Sequence, residues 1–119
     1  MIVLMFKPRF ADLVASGAKR QTLRPPRKRG VPGIGEVVSL RRWSGAAYRS
    51  PQVELARGRI AGTDHVELDD LIVVVNGTEV DRHAFARADG FASWPDLVAW
   101  FRETHGLPFA GTLYRWYPL

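Results

Sequence analysis

The sequence predicts an α+β fold: a barrel-like, mixed but mostly antiparallel sheet with two to three short helices. Three observations carry this. Strand-length apolar runs recur from Ile2 to Tyr117, separated by glycine, proline and Asn-Gly turn signals. A helical face is written by Trp94, Leu97, Val98 and Phe101, and a shorter one by Phe10, Leu13 and Val14. Finally, strands and helices are interleaved within 119 residues with no internal repeat and no linker, which leaves room for one core and one domain spanning 1–119.

Taken in order, Ile2 to Phe6 is a short apolar strand broken by Pro8. The Phe10 helix follows and stops at Gly17, a residue suited to the left-handed position past a helix end. Gln21 to Arg24 then extends, with Leu23 toward the core and Thr22 and Arg24 on the opposite face. Pro25 to Gly35 is a loop stiffened by Pro25-Pro26, and its Arg27-Lys28-Arg29 triplet is placed to form the lip of a cleft. Glu36 to Trp43 reads as a strand, Ser44 to Pro51 as a loop, and Gln52 to Gly62 as a strand whose phase switches near Gly58, the expected site of a bulge. The run Leu71 to Val75 turns at Asn76-Gly77 into Thr78 to Val80. Asp81 caps a short helix through Ala88, closed by Gly90, and Ser93 caps the Trp94 helix, which stops near Gly106. Phe109 to Tyr117 is the last strand.

The formal charge of +5 is unevenly placed. Nine basic residues lie between Lys19 and Arg49 (Lys19, Arg20, Arg24, Arg27, Lys28, Arg29, Arg41, Arg42, Arg49), and Glu36 is the one acid among them. Such a segment either binds an anionic partner, single-stranded RNA or a nucleotide, or forms a solvated basic face. Without cysteine, disulfides and thiolate zinc sites are excluded. His65, His83 and His105 are scattered, no metal spacing occurs, and neither metal nor cofactor is expected. No run approaches the ~18 apolar residues of a membrane helix, and the apolar start is too short for a secretory signal. A cytoplasmic, membrane-free protein is expected.

The stretch Gly17-Ala18-Lys19-Arg20-Gln21-Thr22-Leu23-Arg24 converges a lysine, a hydroxyl and an arginine on one face. Its spacing, Gly17-x-Lys19-x-x-Thr22-x-Arg24, resembles the signature of ASCH domains, relatives of the PUA RNA-binding fold. Met5-Phe6-Lys7 to Phe10 resembles the opening strand and helix of that family, Gly35-Glu36-Val37-Val38 its Gly-Asp-hydrophobic strand entry, and Asp89-Gly90-Phe91-Ala92-Ser93-Trp94 its acidic-Gly-Phe segment before a helix. The resemblance covers most of the chain in order and implies a PUA-like pseudo-barrel.

Within the family, the motif is similar to that of small amidohydrolases that remove the acyl group from the exocyclic amine of N-acylated cytidine. That resemblance implies Thr22 as nucleophile, Lys19 as its base and Asp89 as the third, acidic member, with Arg24, Tyr48 and Phe6 as substrate contacts. Asp89 stands where the subgroup carries glutamate, one methylene longer. The chemistry is coherent, since a hydroxyl becomes nucleophilic when a neighbouring base takes its proton and a desolvated lysine is such a base. Two further readings remain open. In one, Arg20, Arg24, Arg27, Lys28 and Arg29 bind RNA or nucleotide phosphates, with Trp43 or Tyr48 as a stacking face; in the other the chain cleaves RNA. A purely structural role, with Lys19 and Arg24 serving the helix end and Asp89 closing a helix before Gly90, also fits the spacing.

Overall fold

The computed structural model describes residues 1–119. In chain order the elements are β1 (Ile2–Met5), α1 (Pro8–Ser16), β2 (Gln21–Arg24), β3 (Val37–Trp43), β4 (Gln52–Leu68), β5 (Val73–Val75), β6 (Thr78–Val80), α2 (Arg82–Ala88), α3 (Trp94–Thr104) and β7 (Phe109–Pro118). All seven strands join one sheet, parallel between β1 and β3 and antiparallel at every other pairing. The α+β class and the mostly antiparallel, barrel-like sheet agree with the expectation.

β4 organises the sheet. Seventeen residues at roughly 3.3 Å each would run about 56 Å if straight, yet the longest dimension of the whole molecule is 38 Å. The strand therefore bends, and two register shifts show where: opposite Leu40 and Arg41, where Leu55 is skipped, and between Ile60 and Gly62, where Ala61 is skipped. Each extra residue kinks the strand and increases its twist. This lets the first half of β4 pair with β3 and the second half with β7, while its last residues also take β5.

The bulge expected at Gly58 thus falls at Leu55 and Ala61 instead. Gly58 has another reason to be glycine: a Cβ there would stand 2.7 Å from the Tyr117 carbonyl oxygen. β4 also runs on to Leu68, past the expected end at Gly62, because Val66 and Leu68 are buried against β5 and β7. The apolar run before the Asn76-Gly77 turn divides in the opposite sense. Val73 is buried, whereas Leu71 and Ile72 are exposed and precede the strand. The turn itself has Asn76 and Gly77 both at positive φ, 49° and 83°, as a two-residue hairpin loop requires.

The helices form where caps and faces agree. Gly17 sits at φ 80° and its N–H donates to the Val14 carbonyl, ending α1. The Asp81 carboxylate accepts from the His83 and Ala84 amides at the start of α2, and the Ser93 hydroxyl accepts from the Asp96 amide at the start of α3. α3 buries Trp94, Leu97, Val98 and Phe101, the predicted face. Phe10, Phe91, Trp100 and Phe101 meet edge-on or tilted, and an Arg9–Asp96 ion pair at 2.8 Å ties α1 to α3. One contiguous core of 23 buried residues joins sheet and helices.

β1 and β2 each pair with one strand, β3 and β7 respectively, and not with each other. The Arg24 guanidinium reaches across that seam and donates from Nη2 to the Met5 carbonyl at 2.5 Å. A cavity opens at the same place.

Candidate functional site

The cavity, of about 210 Å³, is lined by the end of β1, by β2 with Pro25, and by aromatic side chains of α1, α3 and the segment between α2 and α3. Lys19, Thr22, Arg24 and Asp89 all face it, and so does Phe6. Local structure explains the convergence. The left-handed Gly17 turns the chain out of α1, and the Lys19 amide then donates back to the Leu13 carbonyl at 3.0 Å, which fixes where the lysine leaves the backbone. Two-residue alternation along β2 brings Thr22 and Arg24 to one side, and Arg24 Nε donates to Thr22 Oγ1 at 3.1 Å. On the opposite wall Asp89 closes α2, its amide donating to the Phe85 carbonyl, and Gly90 at φ 93° turns the chain away. Gly90 is also required by packing, since a Cβ there would lie 2.9 Å from Lys19 Cδ.

Lys19 is 2% exposed. Its ammonium donates to the backbone carbonyl of Asp89 and stands 3.6 Å from the Asp89 carboxylate, which is equally buried. Gln21 Nε2 lies 3.4 Å from the same carboxylate. The Phe10 ring lies under the Lys19 ammonium at 4.7 Å and the Phe6 ring under the Arg24 guanidinium at 4.8 Å, so both cations rest on aromatic faces. Burial drives the electrostatics. It pushes Lys19 below its ordinary value, against the raising effect of Asp89 and with help from Arg24 and Arg9. It pushes Asp89 above the usual carboxylate range, against the lowering effects of Lys19, Gln21 and Arg24. For both partners the loss of hydration outweighs the mutual attraction, so each is held away from its ordinary value in the direction that disfavours its charged form.

The expected lysine, threonine, arginine and acid are therefore brought together, with two qualifications of geometry. Lys19 is hydrogen-bonded to Asp89 and Thr22 to Arg24, and no hydrogen bond links Lys19 to Thr22. The Lys19 ammonium also occupies the carbonyl-bearing end of α2, where a cation is favoured. A helix-terminal role is thus real, but at α2 and not at α1, from which Lys19 departs.

Other expected site residues lie elsewhere. Tyr48 is 89% exposed on the loop after β3, at φ 63°, tilted against Trp43 with ring centroids 5.1 Å apart, and it does not line the cavity. Arg20 folds back so that its Nε donates to the Gly17 carbonyl at 2.9 Å, outside the cavity. Arg27, Lys28 and Arg29 are exposed, and of their loop only Pro25 reaches the cavity, so the triplet does not form the expected lip.

Residues not expected at the site also line the cavity: Lys7 and Phe91, which lie within the segments that carry the family resemblance, and Trp100, Thr104 and His105, which carry no sequence signal. His105 is the notable miss, since nothing in its spacing distinguishes it from His65 or His83. It lines the cavity because α3 ends beside β2, and burial, Lys7 and Arg24 together hold its ring below the ordinary value. No three histidine, aspartate or glutamate side chains cluster as a metal site would need. No helix is long and apolar enough to cross a membrane. No family model matches the chain, and no curated protein and no solved structure matches it.

Proposed function

We propose that the cavity is the active site of an amidohydrolase that removes the acyl group from the exocyclic amine of N-acylated cytidine or cytosine. The observation that carries this reading is a buried lysine, held below its ordinary pKa, sharing one small cavity with a buried threonine hydroxyl and an arginine bonded to that hydroxyl. The resemblance of Lys19, Thr22 and Asp89 to the residues of the small ASCH amidohydrolases supports it. In this scheme neutral Lys19 turns from Asp89 toward Thr22 and takes the hydroxyl proton as Thr22 Oγ1 bonds to the amide carbonyl carbon. The Arg24 guanidinium beside Oγ1 stabilises the developing negative charge. Collapse breaks the C–N bond, and the leaving amine takes the proton from Lys19. Water then attacks the acyl-threonine ester as Lys19 takes one of its protons and passes it to Thr22 Oγ1 when the C–O bond breaks; the acid released gives its remaining proton to solvent and leaves as a carboxylate. Asp89, in contact with Lys19 and Gln21, fixes the position of the lysine.

The test is incubation of the purified protein, with chelator, with acetylated and benzoylated cytidine, following release of cytidine. Turnover is expected to be lost in Thr22→Ala and in Lys19→Ala proteins whose folding is intact. No turnover of any acyl-cytidine by the wild-type protein would dismiss the scheme.

One set of observations favours a second reading, an RNA-binding module of the ASCH/PUA type with or without ribonuclease activity. Arg27, Lys28 and Arg29 are exposed, and the exposed Tyr48 ring rests on Trp43 beside Arg42 and Arg49. An aromatic pair flanked by cations suits an unstacked base. Tight binding of single-stranded RNA that is lost in Tyr48→Ala, in a protein without amidase turnover, would establish it.

A further inference from the structure

The buried floor of the cavity, Lys19, Thr22 and Asp89, is used by the reaction above, but its exposed mouth is not. There Lys7, Thr104 and His105 line the opening beside the half-buried Trp100. The Lys7 ammonium lies over the Trp100 ring at 5.5 Å and enters no ion pair. The His105 ring is fixed against Phe109, Phe101 and Trp100, at centroid distances of 5.0, 5.5 and 5.6 Å, and its nitrogens have no protein hydrogen-bond partner. Three cations (Lys7, Lys19, Arg24) line the cavity against one carboxylate (Asp89), so two positive charges are uncompensated before His105 is counted. An acyl-cytidine is neutral and would leave them so. At about 210 Å³ the cavity also falls below the roughly 300–1,000 Å³ of sites that enclose a drug-sized ligand. It has room for a base and its acyl group, which leaves the sugar and its substituents at the mouth.

We propose that Lys7 and His105 form a phosphate subsite at the mouth of the cavity, so that the preferred ligand is a phosphorylated pyrimidine nucleoside, a nucleotide. Lys7 supplies a mobile point charge, and His105 supplies an N–H from a ring whose orientation three aromatic neighbours set. The inference rests on the cavity's being a pyrimidine site, and its test is chosen to separate the two. Cytidine, cytidine 5′-monophosphate and inorganic phosphate, none of which is turned over, are titrated into the wild-type protein by calorimetry. The nucleotide is expected to bind about tenfold or more tightly than the nucleoside, with the margin shrinking as salt is added. Lys7→Gln and His105→Gln, both at exposed positions, are each expected to weaken nucleotide binding at least severalfold more than cytidine binding, in proteins whose urea midpoint shows an intact fold.

Equal affinity for nucleotide and nucleoside would overturn the subsite. So would a preference that survives both substitutions, or one that inorganic phosphate reproduces and the triple change Arg27→Ala, Lys28→Ala, Arg29→Ala removes, since the phosphate would then sit on the outer loop. Acetylcytidine turnover without any nucleotide preference would remove only the subsite and leave the amidase reading. Binding of neither cytidine nor nucleotide, without turnover, would remove both.

Discussion

Asp89 meets Lys19 twice, through its backbone carbonyl and through its carboxylate, and the two contacts are separable by mutation. Asp89→Asn keeps the carbonyl and removes the charge. Because that charge raises the Lys19 pKa, its loss lets Lys19 become neutral at lower pH. If neutral Lys19 is the base, the ascending limb of the kcat/KM profile for acetylcytidine moves to lower pH in Asp89→Asn; a limb that stays in place would show that Lys19 does not set it. Tyr114 offers a contrasting case. Its hydroxyl is buried without a partner, although it lies on the strand beside Thr22. An unpaired buried hydroxyl costs free energy, so Tyr114→Phe is expected to be neutral or stabilising by up to about 1 kcal/mol in urea unfolding.

Among the elements, β2 and β7 pair so closely at Gly111 that a Cβ there would collide with the Arg24 carbonyl and lie 2.8 Å from the Phe109 ring. Gly111→Ala should force the two strands apart, destabilise the protein by roughly 2–4 kcal/mol and displace Arg24 from Thr22. The measurement is a urea midpoint together with acetylcytidine turnover, and both should fall. α3 tests a different force. Phe101, 1% exposed, packs on Phe91, Trp100 and Phe109, and Phe101→Ala should cost about 3–5 kcal/mol by opening the core. Ser93→Ala, which removes only the cap, should cost about 1 kcal/mol.

At the scale of the molecule, charge and stability are divided between different surfaces. The ion pairs that bridge elements, Arg9–Asp96 and Arg115–Asp64, lie away from the Arg27-Lys28-Arg29 loop, whose side chains contact no carboxylate. Reversing all three to glutamate should therefore shift stability by no more than about 0.5 kcal/mol at each position, while removing whatever salt-dependent affinity the protein has for single-stranded RNA. An unchanged affinity would leave that loop a solvated one.

What the sequence determined by itself is what local rules govern. The helix faces of Phe10 and Trp94, the caps at Asp81 and Ser93, the Gly17 exit and the Asn76-Gly77 turn depend on neighbours within four residues, and all are found in the structure. The face shared by Thr22 and Arg24 was legible for the same reason. Only the tertiary structure decided the rest, because it depends on which distant segments meet. The bends of β4 at Leu55 and Ala61 answer to β3 and β7, which local alternation does not reveal. Gln21 meets the buried Asp89 carboxylate across 68 residues, and Lys7 and His105 reach one opening because α3 ends beside the seam between β1 and β2. Tyr48 and the basic triplet had the chemistry expected of a binding site, but their loops carry them away from the cavity. Spacing fixes which side of a strand a residue takes; closure of the sheet fixes what it faces.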